Sequence, residues 1–385
     1  MNKENYILPG FEGFPIRPLH NISEPTTEEI DSDCLFQNRW LCKGGCCTLV
    51  STSGIGKSSF VMQAAIQWSA GIEMVGIRPT RQIKTLLIQA EDDDYDLAWF
   101  KNGARIGFAN NQDCDMDIIK TAEKNVFIAT VNGVVDDEFF SYMKSAIQAV
   151  GPDLIIINPL HAFIGGNLNE SHVCSKFLRQ GLDPIIKAKE TRCGALIVHH
   201  TGKPKECNGN MASSYMGNGS AELSNYPRSC LVMQPDNKVK GAFILSATKH
   251  GDRLNWRDSN DRRTTQKMIC YANILPRYAD NDQLIYWEEV TEEDLKCLSS
   301  SSEGSKISIR SLKKSNDRGD DENELTLAKY VLSKPSGTIS NKLLRDYAEQ
   351  QWQTKVGRRA VVRFEKNLEH HNIRKNSTGF YVHGS

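Results

Sequence analysis

The sequence predicts an α/β protein: a mainly parallel sheet flanked by helices, followed by a small winged-helix-like domain at the C-terminus. Three observations carry that prediction. From Cys46 onward, short runs rich in Val, Ile and Leu ("CCTLV", "KTLLIQA", "VFIATV", "LIIIN", "GALIVHH") alternate with longer helical stretches. None of these runs alternates apolar with polar residues, so both faces of each strand are expected to be buried, as in a parallel sheet covered on both sides. A Ser-rich, charged segment then separates this part from a short basic tail patterned as three helices and a hairpin.

The boundaries follow from composition. Residues 1–34 form a lead-in with no sustained period, 35–298 the α/β core, 299–324 a flexible linker, and 325–385 the small basic domain. Within the core, "KSSFVMQAAIQWSAG" reads as a helix closed by Gly71. "SHVCSKFLRQGLDPIIKAKE" reads as a helix with Ser171 at its N-cap and Val173, Phe177, Leu178 and Leu182 on one face. "RSCLVMQ", "AFILSAT", "KMICYANI" and "LIYWEEV" are closely spaced strands that extend the sheet, partly antiparallel.

The bulk properties exclude several classes. With 39% hydrophobic and 24% charged residues the composition is that of a globular protein. No apolar run reaches the length of a membrane span, and the first residues hold no apolar signal core, so a cytoplasmic location is expected. Eleven cysteines follow no zinc or disulfide spacing. The cluster Cys42, Cys46, Cys47 falls where a buried strand begins and reads as small buried thiols in a reducing compartment. The net charge is zero, yet Leu325 to Ser385 holds 11 Lys and Arg against 4 Asp and Glu, a local +7. A basic tail on a slightly acidic core points to a polyanion.

In that tail, "ELTLAKYVLSK", "TISNKLLRDYAEQ" and "TKVGRRAVVRFEKNLEHH" are helical, and "IRKNSTGFYV" is a hairpin turning at Asn376 to Gly379. On the third helix Val361, Phe364 and Leu368 face inward, with Lys355, Arg359, Arg363 and Lys366 opposite. That basic stripe is either a DNA-reading face or a solvated helix surface.

The strongest motif is "STSGIGKSS", which follows a strand and opens a helix. Ser53, Gly54, Ile55 and Gly56 can turn backbone N–H groups toward a phosphate. Lys57 places an ammonium on the β/γ oxygens, Ser58 offers its hydroxyl to Mg²⁺, and Ser59 completes the expected phosphate-binding set. A serine, Ser51, stands where such loops usually open with glycine. Next, "LLIQAEDDD" ends a buried strand in acids over the same crevice. Glu91 can orient or deprotonate a water and Asp92 can approach Mg²⁺; alternatively these acids form a solvated turn capping the next helix.

"LIIIN" ends in Asn158 where an aspartate usually helps hold Mg²⁺. An aspartate acting through a water at about 5 Å would contribute about 6–7 kcal/mol at an effective dielectric of about 20, and about 1.7 kcal/mol at about 80, before desolvation. Asparagine loses that charge but keeps a hydrogen-bonding oxygen, and Asp92 or Asp93 can supply the charge from the adjacent strand end.

Taken in order, the phosphate loop, "AEDD", "NPL" and "HHTGK" resemble the RecA-type ATPases that include the plasmid RepA-type hexameric helicases. The resemblance covers roughly residues 35–290. It implies a RecA-like fold, ATP and Mg²⁺ as ligands, a hexameric ring, and single-stranded DNA in its channel. It implies a catalytic glutamate at Glu91, with "LIIIN" as the central strand. It places γ-phosphate sensing at His199 and His200, and a channel-facing loop that starts with Lys203 and Lys205. It further implies a basic residue reaching the neighbour's γ-phosphate, Arg253 first and Lys249 second. Two functions stay open beside a helicase: an ATP-gated DNA-binding scaffold, and a regulator whose tail binds a protein.

Overall fold

The chain enters the sheet through a short helix, α1 (Thr27–Asp33), so the lead-in is not featureless. It starts on a capping box. The Thr26 hydroxyl accepts from the Glu29 N–H at 3.2 Å, and the Glu29 carboxylate accepts from the Thr26 N–H at 2.8 Å. The computed structural model describes residues 8–10, 16–110, 116–200, 220–275, 284–300, 339–340, 373–375 and 380–383. The chain divides into two units, Met1–Glu303 and Gly304–Ser385.

In the first unit the elements alternate as the hydrophobic runs require. β1 (Cys46–Ser51) is followed by α2 (Lys57–Ser69), β2 (Thr85–Gln89), α3 (Asp94–Asn110), α4 (Met116–Glu123) and β3 (Val126–Thr130). Then come α5 (Asp136–Val150), β4 (Leu154–Asn158), α6 (Ser171–Ser175), α7 (Asp183–Lys187) and β5 (Gly194–His200). A short helix α8 (Glu222–Asn225) precedes β6 (Ser229–Pro235), β7 (Ala242–Lys249), β8 (Gln266–Tyr271), β9 (Trp287–Glu289) and α9 (Glu292–Ser300). The nine strands form one sheet in the order β3-β2-β4-β5-β1-β6-β7-β8-β9. Pairing is parallel from β3 to β6 and antiparallel from β6 to β9. The fold is α/β, a mainly parallel sheet flanked by helices, as predicted. The middle of the sheet is β1, however, with β5 between it and β4; "LIIIN" is an inner strand rather than the central one.

Strand pleating splits the core into two layers. Cys47, Leu49, Leu87, Ile156, Leu196 and Val198 face one side and pack on α2, α3 and α4 through Phe60, Phe108 and Ile119. Cys46, Leu86, Ile88, Ile155, Ile157, Ala195 and Ile197 face the other and pack on α5 through Phe139, Met143 and Ile147, and on Phe177, Leu178 and Leu182. The expectation of two buried faces fails at one strand. β3 is an edge strand, and Phe127 and Ile128 are exposed.

The predicted helix from Ser171 is real but irregular. Its N-cap is Glu170, one residue earlier, and a π-helical turn over Lys176–Leu182 separates α6 from α7. Pro184, at the start of α7, has no N–H to give to a carbonyl four residues back. The chain responds by widening the turn, and the Asp183 N–H reaches the Leu178 carbonyl. In the second unit, β11 (Ile373–Lys375) and β12 (Phe380–His383) pair antiparallel, with β10 (Ile339–Ser340) on the other side of β12. The helix expected over "TISNKLLRDYAEQ" is not helical at its start, where Ile339 and Ser340 pair as β10 instead; the rest of the three expected helices, with Lys355, Arg359, Arg363 and Lys366, lies outside the described residues, as do Lys203 and Lys205.

A buried side chain of α2 pairs with the backbone of the antiparallel extension. Gln63 is buried, and its amide pairs with the backbone of Trp287 like a missing strand. Its Oε1 accepts from the Trp287 N–H at 2.7 Å and its Nε2 donates to the Trp287 carbonyl at 2.9 Å. Gln63→Ala strands both buried groups, and denaturant unfolding is expected to show a loss of about 2–4 kcal/mol. A loss below about 1 kcal/mol would mean that the pairing does not hold the extension.

Candidate nucleotide site

Four strand ends meet at one edge of the sheet because the strands that carry them are parallel. In register, Ser51 at the end of β1 stands beside His200 at the end of β5, and Gln89 at the end of β2 beside Asn158 at the end of β4. The loop 52–56 leaves β1 at this edge and turns into α2.

Gly56 is the N-cap of α2 at φ +88, a left-handed conformation that favours glycine. A Cβ there would also sit 1.6 Å from Tyr271 Oη, so the position admits no side chain. Ser53 and Gly54 are exposed at the rim and Ile55 packs on the core. Ser59, expected among the phosphate-binding residues, has its side chain turned inward. Its hydroxyl donates to the Gly56 carbonyl at 2.8 Å and accepts from Trp287 Nε1 at 3.0 Å, with Tyr271 Oη at 3.0 Å. Ser59 therefore braces the loop from behind. This support was not visible in the sequence because Tyr271 and Trp287 lie more than 200 residues away.

Lys57 is buried, and its ammonium donates to the Thr52 carbonyl across the loop at 2.8 Å. Burial brings its pKa down to about 8, against the pull of Glu91 in the other direction. Ser58 sits between the two residues on which the magnesium question turns. Asn158 Nδ2 donates to Ser58 Oγ at 3.2 Å, and the Ser58 hydroxyl is hydrogen-bonded to the Asp92 carboxylate. Burial raises the Asp92 pKa, and the Ser58 hydrogen bond opposes the shift. The backbone of Asp92 is held by Gln89, whose Oε1 accepts from its N–H at 2.8 Å and whose Nε2 donates to its carbonyl at 2.7 Å. Asp93 is spent elsewhere. It accepts from the N–H groups of Tyr95 and Asp96 at 2.8 and 2.9 Å and caps α3. The helix-cap reading of the acidic turn thus holds for Asp93.

Glu91 is half-exposed, and its Oε1 lies 3.4 Å from His161 Nε2. The His161 ring stands 5.0 Å from that of His200. Burial, then Lys57, His161 and His199, lower the His200 pKa to about 4, so His200 is neutral at pH 7. His161 was missed in the sequence because it lies three residues past a strand end, in a 3₁₀ turn (Leu160–Ala162) that the sequence pattern does not announce. The tandem histidines separate: the strand pleat turns His200 toward Lys57 and Glu91, whereas His199 is buried among Leu160, Leu178 and Leu223.

The two expected trans-acting cations lie elsewhere. β7 runs antiparallel to β6, and Lys249 stands opposite Cys230 near the start of β6, at the far edge from the phosphate loop. The Lys249 ammonium donates to the carbonyls of Ser224, Asn225 and Pro227 at 2.7, 3.1 and 2.8 Å, so it secures the end of α8. Arg253 Nη1 donates to the Arg39 carbonyl at 2.8 Å, and the guanidinium lines an open basin of about 600 Å³ with Arg39, Arg228 and His250. Neither residue reaches the phosphate loop of its own chain.

Residues 31–206 match the family model described as an AAA domain. The match covers β1 to β5 and the loop that opens α2, less than half of the chain. Among solved structures the chain is similar to one described as an ATPase domain, at 11% identity, over 60% of this chain and 82% of that one, with a TM-score of 0.41. No curated protein matches the chain. No helix among the described residues is long and apolar enough to cross a membrane.

The lowered pKa of Lys57 gives the site a testable pH signature. A bound phosphate favours the ammonium and raises that pKa above about 8. Between the two values nucleotide binding takes up a proton, so affinity falls as pH rises above about 8 and is insensitive to Lys57 well below it. Calorimetry at a pH of about 8–9, in two buffers of different ionisation enthalpy, is expected to show uptake of a fraction of a proton. No uptake there would mean that Lys57 is not the phosphate contact.

Proposed function

We propose that the chain is a Mg²⁺-dependent ATPase that works as a nucleic-acid motor, a ring-forming replicative DNA helicase of a plasmid, phage or mobile element. One observation carries the catalytic part: a single sheet edge gathers Lys57, Ser58, Asp92, Glu91 and His200 around the loop that opens α2. The hydroxyl of Ser58 and the carboxylate of Asp92 are the hard oxygen donors that Mg²⁺ prefers, so the residues fit that ion. When bound, Mg²⁺ neutralises charge on the phosphates. Asp92 supplies the negative charge that Asn158 lacks, and Asn158 orients the Ser58 hydroxyl.

The other groups have separate tasks. Lys57 holds the β/γ oxygens. Glu91, at the exposed mouth, accepts the proton of the attacking water, and His161 steadies its carboxylate. His200, uncharged at neutral pH, can donate or accept one hydrogen bond beside the γ-phosphate without competing with Lys57 for charge. Arg253, at the opposite edge, serves a second copy of the chain, which is how a ring would complete each site. The motif order resembling RepA-type helicases, and the +7 tail, favour DNA as the polymer.

A strand-displacement assay run beside an ATPase assay tests the reading. Hydrolysis stimulated by single-stranded DNA, with duplex unwinding, is expected. ATP-dependent assembly on DNA without strand displacement would replace the motor with a gated scaffold. Glu91→Gln is expected to lower kcat about 10²- to 10⁴-fold with ATP binding retained; undiminished turnover removes Glu91 from the chemistry. Mixing Arg253→Ala with Lys57→Ala subunits is expected to restore part of the activity that each lacks alone, and no restoration argues against action in trans. Deleting 325–385 is expected to flatten the salt dependence of DNA affinity, whereas an unchanged slope places the DNA contact elsewhere.

A further inference from the structure

Glu91, His161 and His200 come from three different strand ends, yet each offers a ligand atom and these atoms lie within 4.8 Å of one another. We propose that they form a binding site for a divalent transition-metal ion, distinct from the oxygen-lined position at Ser58 and Asp92. An ion held there would also silence hydrolysis, by taking the carboxylate of Glu91.

The chemistry separates the two positions. Mg²⁺ favours oxygen ligands, whereas imidazole nitrogens suit zinc, cobalt and nickel. Two histidines and one carboxylate make a set that binds such ions while leaving positions open for water or a phosphate oxygen. The geometry is close to what is needed. Metal–ligand bonds of about 2.0–2.2 Å in a tetrahedron set the donor atoms about 3.3 Å apart. Glu91 Oε1 and His161 Nε2 already stand 3.4 Å apart. Closing the set requires a rotation of side chains, and those of Glu91 and His161 are 50% and 43% exposed, free of tight packing. The acids Asp92, Asp93 and Asp96 close by offset the added positive charge, with Lys57 as the opposing group.

The binding half of the proposal stands without nucleotide; the silencing half rests on the catalytic role given to Glu91 above. The full chain, free of nucleotide, is titrated with Co²⁺ and followed by visible absorption. One site with weak bands and no intense thiolate charge-transfer band is expected. His161→Ala and His200→Ala should each weaken it at least about tenfold, since even outer partners of metal ligands cost that much. Ser58→Ala should leave it unchanged. Equal Co²⁺ affinity in wild type and His161→Ala overturns the site; because His161 is exposed, that variant suffices even where His200→Ala folds poorly. In the second arm Zn²⁺ is added under saturating Mg²⁺ and ATP. Inhibition of wild type at concentrations about tenfold lower than for His161→Ala, reversed by a chelator, supports the silencing. Equal inhibition of both overturns it. Should the wild type show no hydrolysis at all, the ATPase reading fails while the Co²⁺ titration still decides the site.

Discussion

The parallel pairing of β2, β4, β5 and β1 is the constraint on which the rest of the molecule depends. Side by side in register, these strands deliver their C-terminal ends, and the loops that follow, to one edge. Each strand is buried on both faces, so a one-residue slip would drive every side chain into the wrong layer. The site is therefore as precise as the core. Ser58, at the start of α2, and Asn158, at the end of β4, meet at 3.2 Å because β5 holds β1 and β4 in register on its two sides.

A second constraint comes from the antiparallel extension. Tyr271 and Trp287 fill the space behind the phosphate loop, their rings 4.1 Å apart, and both reach Ser59. Gln63 ties the same tryptophan to α2 through its backbone. The loop that opens α2 is thus held from behind by the sheet extension. Its glycine at 56 answers two demands at once, a left-handed backbone and the close approach of a tyrosine.

Much of this was legible in the chain itself. The loop of nine consecutive residues is local, and the strand before it and the helix after it formed as read, with the Ser59 side chain turned inward. The acids after β2 were legible as a group but not individually. Three neighbours divide into a base candidate, a magnesium neighbour and a helix cap, and only the direction of the chain past Gln89 assigns them. The histidine pair was legible as a pair, and the strand pleat then separated its members. His161 carried no signal, because its role depends on where β4 ends relative to β2 and β5. Lys249 and Arg253 were read through the family resemblance, and their partners are backbone carbonyls that no pattern reveals.

The sequence by itself determined the alternation of buried strands with helices, the glycine-containing loop between β1 and α2, and an asparagine rather than an acid at the end of β4. These are properties of neighbouring residues, fixed by hydrophobic periodicity and local backbone freedom. Only the tertiary structure decided that Asp92 stands against Ser58 where the missing charge is needed. It also turned His199 into the core and His200 toward Lys57, and brought His161 to Glu91. Those outcomes depend on strand order and register, and the apolar runs are too alike to encode which strand lies beside which. Burial settles that order collectively, by finding the one arrangement that covers both faces of the sheet at once.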